Sequence, residues 1–212
     1  MADGVAVVAD ALWGQPCLSY LVQARVSDAA LAALVERQAA LPRQVALPLH
    51  LAPPRSLHVT VYGLILPRWP DAGKAAHWSA IADASAARLR ASLAECRGLA
   101  LRFEHLAVTP GAIIALARDP SGTIDAMRRR FAEIARPATQ PAPRYDIIHM
   151  TLARFARGGS VPRADVAAVE ATALALDAAV TSVDLVRERV YPTLEVDILA
   201  RVALDPGSPA AR

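Results

Sequence analysis

Cysteine is scarce in this sequence of 212 residues, and the two that are present, Cys17 and Cys96, are far apart. A disulfide framework needs a set of several cysteines, and a zinc knuckle needs cysteines a few residues from each other. The sequence therefore indicates neither a disulfide-stapled secreted domain nor a zinc-binding module, and no cofactor is expected.

Long apolar runs are also absent, since none approaches the roughly 18 residues that a membrane-spanning helix requires. The first residues, MADGVAVVADALWGQP, have no basic stretch ahead of their apolar part, and Asp10 interrupts that part. This pattern does not resemble a signal peptide. We therefore expect a cytoplasmic protein that does not use a membrane, and nothing in the sequence indicates an obligatory protein partner.

Charged residues make up only 20% of the chain, against 54% hydrophobic residues, and the net charge is +3 with a pI near 9.2. A chain of this length and composition can bury one substantial core, or form two small lobes that share one. The weak basicity favours a phosphorylated ligand, because a long nucleic-acid track would need stronger clustering of positive charge.

Strands and helices are predicted to alternate along the chain. Period-two patterns predict strands at 17–26, 56–66, 99–103 and 112–117, another around His149, and two closing strands of which the last spans 194–204. Helical spacing predicts helices at 28–41, 74–95 and 162–178, and one that Ser121 caps. Prolines predict loops at 42–54 and 137–143.

Each half of the chain has a proline-rich loop that leads into a strand carrying one histidine, and no flexible linker separates the halves. This parallel predicts an α+β fold in which two lobes pack together as a single unit over 1–212. The tail at 205–212 is expected to be loose.

The two histidine-bearing strands repeat one motif, His-x-Thr followed by an aliphatic residue, as HVTV at 58–61 and HMTL at 149–152. With five histidines and eight threonines, only about 0.2 His-x-Thr triplets are expected by chance. Because side chains alternate along a strand, His58 and Thr60 share one face, and so do His149 and Thr151. The aliphatic residues of each motif then anchor the strand in the core from its other face.

Two histidines with nearby hydroxyls suit phosphoryl transfer. A neutral imidazole can take a proton from water or a ribose hydroxyl, while an imidazolium can protonate the departing oxygen. The threonine hydroxyls can donate to phosphate oxygens. A strained 2′,3′-cyclic phosphate is a natural substrate for such a set. A metal is not expected, because no cluster of His, Asp or Glu lies near either strand.

The paired motifs, in an alternating chain of this length, resemble the 2H phosphoesterase superfamily. HMTLAR at 149–154 is most similar to the second motif of its 2′-5′ RNA ligase-like, RNA 2′,3′-cyclic phosphodiesterase branch. The resemblance implies two pseudo-symmetric lobes, each an antiparallel-rich sheet with helices on its outer face, around a central cleft. It also implies that His58 and His149 are catalytic and that Thr60 and Thr151 bind the phosphate.

Two further residues are candidates for substrate binding. Arg154 matches an arginine that commonly closes the second motif of this superfamily and helps to bind phosphate, although simple alternation places it opposite His149. Tyr62 follows the alternation onto the His58 face, where it can stack on a base or pack against the neighbouring strand. The arginines at 128–130 are expected to form a solvated helix face.

The leading hypothesis is a metal-independent phosphoesterase that acts on a 2′,3′-cyclic phosphate or a 2′-5′ linkage of a nucleotide or RNA end. One histidine would serve as general base and the other as general acid. One alternative keeps the site but changes the substrate to the cyclic phosphate of a small metabolite such as ADP-ribose. Another is a non-catalytic module that binds a nucleotide or RNA end in the same cleft.

Overall fold

A computed structural model gives the structure of residues 4–134, 136, 137, 140 and 145–205. Most of the proline-rich loop predicted at 137–143 and nearly all of the tail predicted at 205–212 lie outside the described residues. Among the described helices, none combines the length and the apolar character needed to cross a membrane.

Strands and helices alternate through the described part of the chain. A short 3₁₀ turn at Pro54–Ser56 precedes the first histidine motif. The elements are β1 (Gly4–Val7), β2 (Pro16–Val26), α1 (Asp28–Gln44), β3 (Leu49–Leu51), β4 (Val59–Ile65), α2 (Lys74–Leu93), β5 (Ala100–Val108), β6 (Ala112–Arg118), α3 (Thr123–Ala132), β7 (Ile148–Phe155), β8 (Gly159–Pro162), α4 (Arg163–Glu170), β9 (Ala173–Val190) and β10 (Glu195–Ala203).

Within the described residues, eight strands form one antiparallel sheet in the order β10-β9-β2-β4-β7-β6-β5, with β3 beside β7. The long strand β9 also pairs with β5, which closes the sheet on itself. Between β5 and β9 the order is symmetric about the β4–β7 pair, with β2 and β6 at equivalent places. Strand β4, which His58 directly precedes, and strand β7, which carries His149, therefore lie side by side at the pseudo-twofold axis.

Two helices, α1 and α3, each pack on a strand from the other half of the chain. Helix α1, from the first half, packs on β7 and α4, whereas α3, from the second half, packs on β4 and α2. Each histidine-bearing strand is thus covered on its outer face by a helix of the other half. The α+β class with two related halves and outer helices is confirmed.

Alternation and helical spacing explain most of these elements. Ser27 caps α1 as its sequence position predicts, accepting a hydrogen bond from the Ala30 amide at 3.5 Å. In α3 the apolar residues predicted to face inward are fully buried, and they recur three or four positions apart: Ile124, Met127 and Phe131.

The helix predicted at 162–178 is wrong in its second half, since α4 ends at Glu170 and Ala173 begins the strand β9. Alanine and leucine favour a helix by intrinsic propensity. Here the pairing of Leu176–Ala179 with β5 decides the conformation, because it supplies backbone partners and closes the sheet. Tertiary pairing overrides local propensity at this point.

The ends of three other elements also differ from prediction. Helix α1 continues through Pro42, within the stretch predicted as a loop, and β3 forms later in that stretch. Helix α3 begins after Gly122, at φ 70°, so Ser121 is not its N-cap residue. Helix α2 ends at Leu93, well before the glycine at 98. These boundaries depend on neighbouring elements, which a local pattern does not report.

Candidate active site

The two His-x-Thr motifs meet where β4 and β7 pair. Val59 stands opposite Met150 in this antiparallel pair, so each histidine comes to lie across from the threonine of the other motif. His58, Thr60, His149 and Thr151 line a single cavity of about 400 Å³. The structure therefore brings together all four residues predicted from the motifs.

Each motif is followed by a β-bulge. In β4, Thr60 pairs with Gln23 while Tyr62 pairs with Val22, so Val61 is an extra residue. In β7, Thr151 pairs with Ile114 and the residue at 153 pairs with Ile113, which makes the residue at 152 extra. Both bulges come three residues after the histidine. A bulge reverses the alternation of side chains beyond it.

The bulge in β7 brings Arg154 onto the cavity side, although simple alternation from His149 predicts the opposite face. Its guanidinium lies 3.1 Å from a carboxylate oxygen of Asp10 and 5.2 Å from the ring centre of Tyr191. Arg154 therefore lines the cavity while its guanidinium is paired with the buried Asp10 and lies over the ring of Tyr191.

The bulge in β4 turns Tyr62 away from the cavity. Its ring is only 6% exposed and packs against Phe131 of α3 and against Tyr145, with ring centres 5.9 Å and 5.3 Å apart. The prediction that Tyr62 stacks on a base is corrected by this placement. Its ring packs in the core against a helix residue and Tyr145, rather than on a base.

Two buried side chains hold the carbonyl groups of the bulged residues. Arg128 of α3 donates from Nε to the Val61 oxygen at 3.3 Å and from Nη2 to the Ile147 oxygen at 2.9 Å. Gln38 of α1 donates to the Leu152 oxygen at 2.6 Å. Arg128 is therefore not part of a solvated helix face, as its sequence context predicted, but connects β4 to the start of β7.

The imidazole of His58 is fixed at both nitrogens. Nδ1 lies 2.8 Å from the Ser56 carbonyl oxygen, which can only accept, so Nδ1 carries the hydrogen. Nε2 lies 3.1 Å from the Thr60 hydroxyl, and in the neutral ring it is the acceptor of that hydrogen bond. The lone pair of Nε2 is thereby held on the side of Thr60.

Burial lowers the pKa of both histidines. For His58 the pKa falls to about 4, with further lowering by the positive charges of Arg25 and Arg154 and by His149. The pKa of His149 is also lowered, first by burial and then by Arg128 and Arg154. These shifts favour the neutral form of both rings, and an anion bound between them would favour the imidazolium form again.

The stability of the protein should depend on pH through His58. Its folded pKa of about 4 lies below the ordinary 6.5, so the unfolded chain binds more protons between these values. This contribution is present above pH 6.5 and is lost as the pH falls toward 4; lowering the pH from 7 to 5 should cost about 2 kcal/mol. Urea unfolding at both pH values measures it. In His58→Gln the loss should shrink by about that amount, and an unchanged loss would contradict the argument.

The motifs gave no signal for several other residues of the cavity. Glu188 of β9 is only 3% exposed and accepts hydrogen bonds from the Ser19 hydroxyl and the Thr193 amide. Burial raises the pKa of this carboxyl. Thr193, at φ 53°, brings its hydroxyl to 3.4 Å from Nδ1 of His58. Glu188 and Thr193 lie at the end of β9 and in the turn after it, far from both motifs in the sequence, so no motif spacing links them to the histidines.

Trp13 and Tyr191 also line the cavity. They lie far apart in sequence, and neither is part of a motif. Among the described residues, no group of three or more His, Cys, Asp or Glu side chains is placed to hold a metal ion.

Comparisons with models of protein families and with curated proteins give no match. Solved structures do share the fold. The protein TT0787 of Thermus thermophilus aligns with a TM-score of 0.54 at 19% identity, over 90% of this chain and 100% of that one. A protein described as a phosphoesterase aligns with a TM-score of 0.55 at 16% identity, over 88% and 98%.

Escherichia coli LigT, in a structure with 3′-AMP, aligns with a TM-score of 0.52 at 16% identity, over 90% of this chain and 99% of LigT. The chain therefore has the fold that LigT, TT0787 and the structure described as a phosphoesterase share. The resemblance stated from the two motifs is confirmed at the level of the fold.

Proposed function

We propose that the protein is a two-histidine phosphoesterase acting on 2′,3′-cyclic phosphates or 2′-5′ linkages of nucleotides or RNA ends. One observation carries this proposal: two His-x-Thr pairs from neighbouring strands line a single cavity about a pseudo-twofold axis. The fold shared with LigT supports it, because LigT structures contain 3′-AMP, ATP and phosphate.

In hydrolysis, His58 would act as the general base. Its Nδ1 hydrogen is held by the Ser56 carbonyl, which leaves Nε2 to take a proton from water. The water oxygen forms a bond to phosphorus as the bond to one ribose oxygen breaks, and His149 donates its proton to that oxygen. The negative phosphate would raise the pKa of His149 from its lowered value and so supply the imidazolium form.

The two hydroxyls would bind the phosphate oxygens that do not take part in bond breaking. Thr60 and Thr151 lie across from the two histidines, so their hydroxyls can donate to opposite sides of the phosphate. Thr60 contacts Nε2 of His58 in the unliganded protein, and the attacking water would replace this contact. In ligation a ribose hydroxyl would take the place of the attacking water, forming its bond to phosphorus as one ring P–O bond breaks, with the two histidines in the same roles. Cleavage of a 2′-5′ linkage back to the cyclic phosphate would be the reverse of that step, with the two roles exchanged.

The experiment measures the conversion of a nucleoside 2′,3′-cyclic phosphate to a monophosphate in the presence of EDTA. We expect turnover that EDTA does not reduce, since imidazoles and hydroxyls supply the acid, the base and the phosphate donors. Thr60→Val and Thr151→Val should each lower kcat/KM by about 10- to 100-fold, because each removes one donor to the phosphate.

Thr172→Val is the matched control, because the Thr172 hydroxyl donates to the Ala168 carbonyl in α4, outside the cavity. Its kcat/KM should stay within about twofold of the wild-type value. Loss of activity in EDTA would contradict the proposed chemistry. Tight nucleotide binding without any product would instead indicate a binding module.

A further inference from the structure

The segment at 8–15, which we call the rim segment, connects β1 to β2; it brings Trp13 to the cavity and Asp10 to the cavity residue Arg154. Its backbone is fastened at several points: the Asp10 amide donates to the Phe155 carbonyl at 3.0 Å, and the Gly14 amide donates to the Tyr191 carbonyl at 2.7 Å. The Tyr191 amide donates in turn to the Gln15 carbonyl at 3.0 Å. The rim segment is therefore held against the end of β7 and the turn after β9.

Asp10 of the rim segment forms an ion pair with the guanidinium of Arg154 through Nη1, while Nε of Arg154 has no hydrogen-bond partner in the described part of the chain. The Asp10 side chain is only 3% exposed, and its carboxylate lies 3.1 Å from the arginine. Arg154 is the only lysine or arginine among the described residues that line the cavity, and the buried Glu188 adds a carboxyl there. A phosphate between the histidines can be held by imidazoles and hydroxyls, but a second phosphate would meet no uncompensated cation among the described lining residues.

Trp13 of the rim segment forms an aromatic part of the cavity wall. One face of its indole is covered by His50, with ring centres 4.8 Å apart and planes inclined by 7°. The indole is half-buried and contributes to the cavity lining with its remaining surface. Much of the rest of the lining is apolar, including Leu21 and Ile65, so this wall suits a planar, uncharged group.

We propose that Trp13 provides the binding face for the planar group of the substrate, and that Asp10, by engaging Arg154, restricts the site to ligands with one phosphate. This rests on the proposed function and narrows it to mononucleoside 2′,3′-cyclic phosphates. Cyclic phosphates with additional phosphates, such as that of ADP-ribose, would be poor substrates. Volume agrees with this assignment, since about 400 Å³ falls at the small end of ligand sites, which span roughly 300–1,000 Å³.

Three substrates separate the roles of the planar group and of the extra charge. They are adenosine 2′,3′-cyclic phosphate, the same compound with a 5′-phosphate, and glycerol 1,2-cyclic phosphate, which has no base. Wild-type protein should prefer the first over the second by about tenfold in kcat/KM. Asp10→Asn should reduce this preference by about the same factor, because it frees the Arg154 charge for the second phosphate.

Trp13→Ala should raise KM for adenosine 2′,3′-cyclic phosphate about tenfold more than it raises KM for glycerol 1,2-cyclic phosphate. Trp13→Phe should keep KM for adenosine 2′,3′-cyclic phosphate close to the wild-type value, since it keeps an aromatic face. Two matched controls lie away from the cavity: Asp184→Asn, which breaks the 2.7 Å ion pair of the buried Asp184 with the half-exposed Arg201, and Trp78→Ala, which removes the ring stacked on Tyr20. Both controls should leave the substrate ratios unchanged.

Preference for the 5′-phosphorylated substrate, or equal effects of Trp13→Ala on substrates with and without a base, would overturn this inference while leaving the phosphoesterase function intact. Failure to hydrolyse all three substrates would overturn the proposed function instead. In that case calorimetric titration with 3′-AMP and with adenosine 3′,5′-bisphosphate tests the same two side chains by binding. Equal affinity for both ligands in the wild-type protein would then reject the role of Asp10, and unchanged affinity for 3′-AMP in Trp13→Ala would reject that of Trp13.

Discussion

Replacing His58 by alanine is expected to lower kcat for a nucleoside 2′,3′-cyclic phosphate by about a thousandfold, with a much smaller change in KM. The reason is that, in the proposed mechanism, Nε2 of His58 would act on the attacking water rather than on binding, since Nδ1 is held by the Ser56 carbonyl. Steady-state rates at pH 7 measure the effect. His105→Ala is the matched control, because His105 is exposed on β5 and outside the cavity.

The same assay with catechol cyclic phosphate tells the two histidines apart. Its phenolate leaving group needs little protonation, so the loss in His149→Ala should shrink from about a thousandfold to about tenfold. The loss in His58→Ala should remain large, since the attacking water still needs a base. If His58→Ala were instead the variant that recovers activity, the assigned roles would be exchanged. Full activity of either variant on the nucleotide would contradict two-histidine catalysis.

Replacing Arg128 by methionine is expected to lower the free energy of unfolding by about 3 kcal/mol. The substitution leaves the Val61 and Ile147 carbonyl oxygens without their donor inside the protein. Its ion pair with Asp125 adds little, because the Asp125 side chain is 60% exposed. Urea unfolding at pH 7 measures the loss, and Arg129→Met, an exposed neighbour on the same helix, should change stability by less than about 0.5 kcal/mol.

The Arg128 substitution should also act on the site. The guanidinium is one of the charges that lower the pKa of His149, so that pKa should rise in Arg128→Met. An NMR titration of the His149 ring measures this change in the variant while it is still folded. Equal stability of Arg128→Met and Arg129→Met would show that the contacts across β4 and β7 are not needed for the fold.

Local pattern is enough to predict most of the strands and the residues that share their faces. Val59 and Met150 are buried while the histidines and threonines beside them line the cavity, because alternation along a strand is a local property of the backbone. The spacing of apolar residues in α3 likewise identifies its buried face. The site could be predicted only because the His-x-Thr motif occurs twice in the sequence. Neither histidine alone would indicate a catalytic site.

Long-range pairing determines what alternation alone does not. The register of β2 against β4 and of β6 against β7 creates the two bulges, which turn Tyr62 out of the cavity and Arg154 into it. The local pattern of residues 173–178 is compatible with a helix, but these residues form a strand because β5 pairs with them. A bulge or a strand that depends on a distant partner leaves no periodic trace in its own sequence.

The sequence by itself thus determined the alternating α+β class, the two His-x-Thr pairs and the chemistry they suit, because each depends on neighbours a few residues apart. Only the tertiary structure decided that Arg128 is buried between β4 and β7 and that Arg154 is engaged by Asp10. It also brought Trp13 and Glu188 to the cavity. Some of these contacts join segments more than a hundred residues apart, as Asp10 and Arg154 do. They form only when the sheet has closed and its register is set.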